Sequence, residues 1–375
     1  MRIAVNTRLL LKGKLEGIGW VEYETLKRIT KSHPEHEFVF LFDREYDDEF
    51  LFSDNITPVI LGPQTRHPLL WYWWFEHSIV SFLKKYKADI FVSPDSYGSL
   101  RLNIPQLITF HDIAFEHNPK DIPPVSRRFY RKYFPLYAKK AKRIISVSEH
   151  TKKDLIDLYK IDSDKIDVVY NGANERYTSL TEDEKNLIKK EITSGNDFFI
   201  FVGSLHPRKN ISNLFRAYDQ FRKENECSIK LVIVGDKLWN NFNLEKIWKE
   251  MQFKDDVIFT GRLETRKLHQ VLGSALALTY VSFYEGFGIP IVEAFGCDVP
   301  VITSNTSSMP EVAGDAALLT DPSDYNSISA AMKKIAFDPA LRNELIARGR
   351  GRRPLFNWDE SARGLWNAIL KTVEV

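Results

Sequence analysis

One stretch of the chain places two carboxylates on either side of a glycine-broken turn and the start of a helix: Glu285-Gly286-Phe287-Gly288-Ile289-Pro290-Ile291-Val292-Glu293. Pro290 suits the first turn of a helix, where its missing N–H removes no hydrogen bond, and the two glycines let the backbone approach a ligand closely. Because the N–H groups of a first helical turn attract anions, a diphosphate can lie here while each carboxylate accepts hydrogen bonds from vicinal hydroxyls. The pattern favours a sugar-nucleotide site, although an acidic pair beside an ordinary helix has the same spacing.

The segment from Tyr280 to Pro322 carries this pair and, downstream, the run Ser307-Ser308-Met309-Pro310-Glu311-Val312. It resembles the signature of the retaining GT-B glycosyltransferases of family 4. The resemblance implies an α/β fold of the GT-B type, with two Rossmann-like domains facing each other across a cleft. It also implies that Glu285 acts on the hexose hydroxyls as a catalytic group and that Glu293 holds the ribose. Backbone contacts to the sugar and phosphate are implied for three residues, Phe287, Gly288 and Ile289.

A chain of 375 residues is too long for one ordinary core and predicts two domains. Short β-branched or aromatic runs alternate with helical patterns in two series, which favours parallel sheets made of βαβ units. The polar segment 171–176 separates the series. We therefore predict two Rossmann-like domains, over residues 1–172 and 173–357. The family resemblance implies that the first is the acceptor domain and the second the nucleotide-sugar donor domain. The family resemblance implies that a final helix, 358–375, packs back on the first domain.

Twelve strands are predicted, seven before the polar segment and five after it. They lie near Ile3–Asn6, Glu37–Phe42, Pro58–Leu61, Asp89–Ser93, Gln106–Phe110, Arg143–Ser148, Asp167–Tyr170, Phe198–Val202, Ile229–Val234, Asp256–Phe259, Ala277–Val281 and Val299–Thr303.

Bulk properties narrow the function classes. The formal net charge of +2 gives no overall attraction to nucleic acid. Two cysteines, Cys227 and Cys297, make neither a disulfide framework nor a zinc motif. The first residues have the pattern of a strand and not of a signal peptide, and no apolar run reaches the ~20 residues of a membrane span. We expect a cytoplasmic protein with no nucleic-acid partner.

A second motif runs from a strand through a glycine into two adjacent cations: Phe201-Val202-Gly203-Ser204-Leu205-His206-Pro207-Arg208-Lys209-Asn210. It resembles the G-x-L-x-P-R-K-N loop of the same family. Arg208 and Lys209 can neutralise a departing diphosphate, one as a bidentate fork and the other as a point charge. Gly203 is predicted to contact the donor, and Asn210 to cap the next helix. The alternative for the cations is an ordinary pair of solvated loop charges.

A third motif, Gly17-Ile18-Gly19-Trp20, follows the first predicted strand. Its place matches the family's glycine motif, which implies that the backbone at Gly19 lies close to a donor phosphate. The stretch lacks the full G-x-G-x-x-G spacing and the acidic residue of a dinucleotide fold, so an oxidoreductase is disfavoured. A tight turn without a ligand is the alternative.

Two further candidates follow predicted strands, where α/β sheets bind ligands. His111, in Thr109-Phe110-His111-Asp112-Ile113, aligns with the family's cleft histidine, which contacts the donor sugar. Asp112 either orients its imidazole or caps the following turn. Arg262, at the end of the run 257–262, is predicted to lie near the nucleobase.

From Arg127 to Arg143 the chain holds eight basic residues, no acidic residue and several aromatic ones. Two interpretations are open. The run is either a surface that docks on anionic lipid head groups, where each cation contributes ~1 kcal/mol, or a helix with a solvated basic face and an apolar face in the core. The aromatic run Trp71-Tyr72-Trp73-Trp74-Phe75, placed before a helix, either lines an acceptor or membrane-facing rim or belongs to the core.

No metal site is predicted, because the histidines and cysteines lack metal-ligand spacing and no carboxylate pair is placed to hold a cation against a diphosphate. A helix N-terminus with Arg208 and Lys209 would supply that electrostatic role. The resemblance implies metal-independent, retaining transfer of a hexose from a nucleotide-diphosphate sugar to a glycan or lipid-linked acceptor. Mannose from GDP-mannose, in surface polysaccharide synthesis, is favoured. A GT-B nucleotide-sugar epimerase and a noncatalytic nucleotide-sugar or carbohydrate-binding protein are the alternatives.

Overall fold

The computed structural model describes residues 1–235 and 242–374, which fall into two compact units. The first unit comprises Met1–Gly172 with Trp358–Val375, and the second comprises Ala173–Asn357. Each unit is built on one parallel sheet.

The first unit alternates seven strands with helices. The strands are β1 (Arg2–Asn6), β2 (Glu37–Phe42), β3 (Ile56–Ile60), β4 (Ile90–Ser93), β5 (Gln106–Phe110), β6 (Arg143–Ser146) and β7 (Ile166–Val168). The helices are α1 (Gly17–Ser32), α2 (Pro68–Trp73), α3 (Ile79–Tyr86), α4 (Ala114–His117), α5 (Pro124–Lys140) and α6 (Glu149–Tyr159). The sheet order is β3-β2-β1-β4-β5-β6-β7, so the chain builds the sheet outward from β1 on one side and from β4 on the other.

In its described residues, 173–235 and 242–357, the second unit has six strands and eight helices. The strands are β8 (Phe198–Val202), β9 (Lys230–Val234), β10 (Val257–Gly261), β11 (Ala277–Tyr280), β12 (Val301–Ser304) and β13 (Ala317–Thr320). The helices are α7 (Glu182–Thr193), α8 (Ile211–Glu224), α9 (Phe242–Glu250), α10 (Thr265–Gly273), α11 (Ile289–Gly296), α12 (Met309–Ala313), α13 (Tyr325–Phe337) and α14 (Pro339–Arg352). The order β10-β9-β8-β11-β12-β13 again runs outward from two adjacent central strands.

Burial of both sheet faces explains the strand sequences. Strands covered on both sides are apolar almost throughout instead of alternating, and β8 is buried along its whole length. In the first unit, one core contains Trp74 and Phe75, together with Tyr137 of α5, on one face of the sheet. The other face carries a separate core that includes Leu26 of α1.

The last helix, α15 (Trp358–Val373), belongs to the first unit. It contributes Trp366 to the core that contains α1, and the Trp366 ring stacks on His33 with centroids 3.7 Å apart. Where α15 begins, it passes so close to Gly172 that a Cβ on this glycine would lie 2.5 Å from the Trp358 nitrogen. Only glycine therefore fits where the chain leaves the first unit.

The α/β fold with two parallel-sheet units is confirmed, and each of the twelve predicted strands overlaps an observed one. The sequence analysis missed β13, a four-residue edge strand whose apolar run is too short to separate from a loop. The aromatic run 71–75 precedes α3, which ends at Tyr86, as predicted, and the run itself lies within α2 and the helical turn after it. The side chains of this run differ in burial: Trp74 and Phe75 belong to the core, whereas Trp73 is 54% exposed.

Among the described residues, no helix combines the length and the apolar character that crossing a bilayer requires.

Candidate functional site

The candidate site of the second unit lies where its two central strands end. β8 and β11 are hydrogen-bonded neighbours, and the strands that follow each of them are added on opposite sides. Ligands of open α/β sheets bind at such a switch point, outside the carboxyl ends of the strands. Arg208 and Lys209 follow β8, and Glu285 follows β11. The two motifs therefore lie next to each other, beyond the carboxyl ends of these strands.

A buried ion triad joins these two loops. Glu285 is 5% exposed, and each of its carboxylate oxygens accepts from one cation. Arg208 Nη1 lies 2.6 Å from Oε2, and Lys209 Nζ lies 2.6 Å from Oε1. The backbone closes the same junction, because Phe283 N donates to the Arg208 carbonyl at 2.8 Å. The triad carries one net positive charge.

The triad keeps Glu285 ionised. Burial by itself would raise the pKa of this carboxyl, but the charges of Arg208 and Lys209 outweigh it and lower the pKa to about 2. Tyr280, the last residue of β11, accepts a 2.6 Å hydrogen bond from Lys209 Nζ through its hydroxyl. Sequence reasoning missed Tyr280, although its position at a strand end within the motif was a usable signal.

Serines downstream fix the loop that carries Glu285. Ser308 Oγ donates to the carbonyls of Glu285 and Phe287, at 2.8 and 3.0 Å. Ser307 Oγ accepts from Glu285 N at 3.1 Å. The serine pair of the motif thus positions Glu285 and was missed as a functional element, because it contacts the loop and not the expected ligand.

Asn210 was predicted to cap the helix after it, and this is wrong. Its side chain makes no capping bond to α8. Instead, Nδ2 donates to the carbonyls of Val281 and Pro322, at 2.9 and 2.6 Å. Because these carbonyls belong to distant segments, Asn210 ties the loop after β8 to the loop after β11.

Gly203 allows the close packing that the loop after β8 needs. Its φ of 148° lies in a region that favours glycine. A Cβ on Gly235, which follows β9, would lie 1.9 Å from the Gly203 carbonyl oxygen. Glycines at both positions therefore bring the two strand ends together, and the contact of Gly203 with a donor stays a prediction.

The helix after the triad loop begins as the sequence predicts. Gly288 occupies the N-cap of α11 with φ of 108°, and Pro290 lies in the first turn. Ile289 is the first helical residue, where N–H groups have no acceptor within the helix itself. Phe287 packs its buried side chain against Phe356, with ring centroids 5.6 Å apart, and its predicted backbone contact with the donor stays a prediction.

Glu293 differs sharply from Glu285. It lies in α11 and is partly buried, and removal from water raises its pKa to about 7, against a smaller opposing effect of a hydrogen bond with Tyr177. Among the described residues, no cation offsets the burial of Glu293 as Arg208 and Lys209 do for Glu285. The ribose-binding role of Glu293 stays a prediction.

His111 and Gly19 belong to the first unit. His111 follows β5, and its Nε2 lies 2.7 Å from the Pro94 carbonyl oxygen. Since a carbonyl only accepts, Nε2 carries the proton, and burial lowers the pKa of the imidazole. A neutral ring with Nδ1 as the acceptor results. Asp112 caps the following turn, because its Oδ1 accepts from Ala114 N at 2.9 Å.

Gly19 lies in the first turn of α1, where a Cβ would meet the Leu9 carbonyl oxygen at 3.0 Å. The tight-turn alternative for its motif is therefore wrong, since the motif begins a helix. In the second unit, Arg262 is exposed in the bend after β10. Its proximity to a nucleobase stays a prediction.

In the described part of the chain, no group of three or more histidines, cysteines or carboxylates is arranged to hold a metal ion. The Asp-x-Asp triplet Asp162-Ser163-Asp164 serves a local purpose, because Asp162 accepts from Asp164 N at 3.0 Å and caps a short 3-10 turn.

Comparisons with known proteins agree with this fold. The family model "Glycosyltransferase Family 4" matches residues 17–177, and the model "Glycosyl transferases group 1" matches residues 182–352. Together the two models span most of the chain, which is therefore a glycosyltransferase of the GT-B fold and belongs to glycosyltransferase family 4.

Related proteins and similar solved structures match most of the chain. It is 28% identical to O-antigen chain mannosyltransferase B of Escherichia coli over 96% of this chain and 97% of that protein. It is also 28% identical to O-antigen chain mannosyltransferase RfbU of Salmonella typhimurium, over 72% of this chain and 71% of the relative. Sucrose-phosphate synthase from Thermosynechococcus elongatus superposes with a TM-score of 0.79 at 18% identity, covering 99% and 98% of the two chains. Anabaena HepE in complex with UDP and glucose gives 0.75 at 15% identity, covering 99% of each chain.

The first prediction concerns Lys209 of the ion triad. If Lys209 stabilises negative charge that grows on a departing diphosphate, its effect is larger in the transition state than in the bound donor. Lys209→Met should lower kcat about 10²–10³-fold, as loss of one preorganised electrostatic donor does, and raise the donor KM less. Steady-state kinetics measure both.

Lys230→Met is the matched control. Lys230 of the second unit is also partly buried and forms an ion pair with Asp256. It is the first residue of β9, so it lies at the amino ends of the strands, whereas the site lies at their carboxyl ends. Its loss should leave kcat near wild type. A raised KM with unchanged kcat for Lys209→Met would assign this lysine to ground-state binding only.

The pKa of Glu293 makes a second prediction. A carboxylate accepts stronger hydrogen bonds from a ribose diol than a neutral acid does. With a pKa of about 7, its ionised fraction rises from about a tenth at pH 6 to about nine tenths at pH 8, so nucleoside affinity should rise up to about tenfold. The free energy of unfolding changes with pH in the opposite direction. Because the pKa of Glu293 is higher in the folded state than in the unfolded state, protonated Glu293 stabilises the fold at low pH, and this contribution is lost as pH rises through 7.

Calorimetry with the donor's nucleoside, which carries no titrating phosphate, measures the affinity. Glu293→Gln should bind weakly and remove the pH dependence. Wild-type affinity that is flat between pH 6 and 8, or unchanged in Glu293→Gln, would remove Glu293 from the nucleotide site.

Proposed function

We propose that this protein transfers a hexose, with mannose favoured, from a nucleotide-diphosphate sugar to a glycan or lipid-linked acceptor in surface polysaccharide synthesis, with retention of anomeric configuration. The observation that carries this proposal is the ion triad of Arg208, Lys209 and Glu285 at the switch point of the second unit. Two relatives named as O-antigen chain mannosyltransferases support the choice of mannose and of a polysaccharide product.

Each group of the site has a defined task in this reaction. The bond between the anomeric carbon and the diphosphate breaks, and a bond from the acceptor oxygen to that carbon forms on the same face. The acceptor's proton goes to the leaving phosphate. Lys209 and Arg208 offset the charge on that phosphate, assisted by the N-terminus of α11.

Glu285 accepts hydrogen bonds from hexose hydroxyls. A carboxylate that is ionised at all working pH values suits this task, because it is an acceptor only. The neutral imidazole of His111 can likewise accept from a sugar hydroxyl through Nδ1. Arg208, Lys209 and the start of α11 supply the charge compensation that a divalent cation supplies elsewhere, so the transfer is proposed to be metal-independent.

A donor panel tests the proposal. Thermal shift with GDP, UDP, ADP and their hexose conjugates identifies the nucleotide, since a ligand at 100 times its Kd adds ~2.7 kcal/mol of stability. Turnover with GDP-mannose and a mannoside acceptor should then yield an α-linked product by NMR, with and without excess EDTA.

Other outcomes contradict the proposal in distinct ways. Interconversion of sugar nucleotides without an acceptor would identify an epimerase, and binding without turnover would identify a noncatalytic binding protein. A β-linked product would exclude retention. Activity that is lost in EDTA and restored by Mg²⁺ would exclude the electrostatic role given to Lys209 and the start of α11.

A lipid-linked acceptor favours contact with a membrane surface, and we propose that α5 provides it. Its buried side packs Phe129, Phe134 and Tyr137 into the core, so the core-helix interpretation holds for one face. The other face exposes Val125 by 59% and Leu136 by 40%. Exposed cations alternate with these apolar residues, namely Arg128, Lys132 and Lys139. Such a face suits the interface of an anionic bilayer.

Vesicle binding measures this contact. Each unit of charge near an anionic surface contributes ~1 kcal/mol, so Lys132→Glu with Lys139→Glu should weaken binding to phosphatidylglycerol vesicles by about two orders of magnitude or more. The control is Lys333→Glu with Lys334→Glu, two exposed lysines of α13 in the second unit. It should bind like wild type.

Salt and lipid charge are the further controls. Wild-type binding should weaken steeply with salt, because exposed charges are screened over ~8 Å at physiological ionic strength. Equal binding to phosphatidylcholine and phosphatidylglycerol vesicles, or none to either, would contradict the proposed contact.

A further inference from the structure

An open cavity of about 480 Å³ lies in the first unit, at the amino ends of β5 and β6. This volume is in the range of small-molecule sites, roughly 300–1,000 Å³. The polar part of its lining comprises Lys140, Lys142, Lys165, Asn103 and Gln106. Among the described residues that line the cavity there are three cations and no carboxylate, so the cavity attracts anions.

The length of β5 separates this cavity from the residue expected to contact the donor sugar in this unit. Gln106, which lines the cavity, is the first residue of β5, and His111 follows the last one. Because a strand rises ~3.3 Å per residue, these two residues lie roughly 16 Å apart. A phosphate bound in the cavity is therefore remote from a sugar held by His111.

Two of the three lysines have no carboxylate partner. Lys140 is the last residue of α5 and Lys142 lies just before β6, and both are exposed. In the described part of the chain, neither forms an ion pair. The neighbouring Arg143 does, because its Nε lies 2.8 Å from Asp167 Oδ2, and Lys371 Nζ lies 2.7 Å from the other oxygen of that carboxylate. The charges of Lys140 and Lys142 are left for solvent or for a ligand.

Lys165 reaches the cavity from another segment, the turn before β7. Its Nζ donates to the Lys139 carbonyl at 2.7 Å, and since an ammonium has three donors, this bond leaves two for a ligand. Burial lowers the pKa of Lys165, and the charge of Asp162 opposes this only in part. An anion nearby favours the charged form of a lysine. A phosphate in the cavity would therefore offset the effect of burial on Lys165.

The end of a helix also attracts cations, because the carbonyls of its last turn carry partial negative charge. This attraction accounts for Lys140 and for the bond of Lys165 to α5. It does not account for Lys142, which lies beyond the helix. Like charges around one cavity also repel each other, and a bound anion removes that cost. The last turn of α3 provides a comparison, since it carries the exposed Lys84 and Lys85, neither of which lines the cavity.

We propose that this cavity binds the phosphate group of a phosphate ester through Lys140, Lys142 and Lys165. Lysine binds phosphate as a compact point charge, and the three charges match a phosphate monoester or diester. Ile104 and Pro105, which also line the cavity, offer apolar contacts to the carbon part of the ester. The inference does not depend on the proposed transfer reaction, because none of the residues assigned to donor binding takes part.

Two sources carry this chemistry, a water-soluble phosphate ester and the head group of an anionic lipid. A lipid reaches the cavity if α5 lies on a membrane, because Lys132, Leu136 and Lys140 are spaced four positions apart on one side of this helix. A soluble ester requires no membrane. Affinities for two probes, sn-glycerol 3-phosphate and phosphatidylglycerol vesicles, therefore tell the two sources apart.

Calorimetry with sn-glycerol 3-phosphate tests the soluble source, with nucleoside diphosphate in excess to fill the donor site. The cavity variant, Lys140→Gln with Lys142→Gln, should raise the Kd about tenfold or more, because two charge-assisted contacts are lost. The matched control, Lys84→Gln with Lys85→Gln, removes the same charge from the end of α3 and should bind like wild type. Both double variants should keep the wild-type melting temperature, because all four lysines are exposed.

Vesicle binding tests the lipid source. Here the matched control is Arg128→Gln with Lys132→Gln, which removes the same charge from the exposed side of α5 outside the cavity. General attraction to an anionic surface predicts equal losses in this control and in the cavity variant. A head-group site predicts that the cavity variant loses about tenfold more affinity for phosphatidylglycerol vesicles than this control does.

Each outcome decides the proposal. Saturable binding of sn-glycerol 3-phosphate that the cavity variant weakens and the α3 control keeps would identify a soluble ester. Binding of vesicles alone, weakened more in the cavity variant than in the α5 control, would identify a lipid head group. The site would be overturned if wild-type protein bound neither probe, or if the cavity variant and its controls had equal affinities.

Discussion

The carboxylate of Glu285, buried between Arg208 and Lys209, is the interaction on which the site of the second unit depends. Removing one partner of a buried ion pair costs ~3–5 kcal/mol, because a charge is left without compensation. The loops after β8 and β11 are therefore held in one arrangement. Ser307, Ser308 and Asn210 add hydrogen bonds to the same junction, so the backbone that leads into α11 is fixed as well.

Two glutamates eight positions apart reach opposite electrostatic states in this arrangement. Burial disfavours the charge of both. Two cations reverse this for Glu285 and lower its pKa to about 2, whereas Glu293 has no such partner and its pKa rises to about 7. One carboxylate is thus a permanent acceptor, and the other changes its charge near neutral pH. This difference fits the contacts predicted for the two residues: Glu285 would accept from the sugar at every working pH, and Glu293 would bind the nucleoside in a pH-dependent way.

The two units repeat one design with different chemistry. Each has a parallel sheet that grows outward from two central strands, and each places charged side chains beyond the carboxyl ends of that central pair. In the second unit, two cations and one carboxylate leave a net positive charge that suits a diphosphate. In the first unit, Arg8 Nε pairs with Asp95 Oδ2, so the charge of this arginine is balanced.

The sequence by itself determined the α/β class, twelve of the thirteen strands, the start of α11 at Gly288 and Pro290, and the two motifs of the second unit. These features are local, since they depend on apolar runs, glycines and proline over a few residues. The short edge strand β13 lacked such a pattern. Tertiary structure alone decided that Lys209 meets Glu285 across 76 residues and that Asn210 bridges loops instead of capping a helix. Spacing along the chain carries no information on these, because burial and ion pairing depend on contacts that form only when distant strands become neighbours.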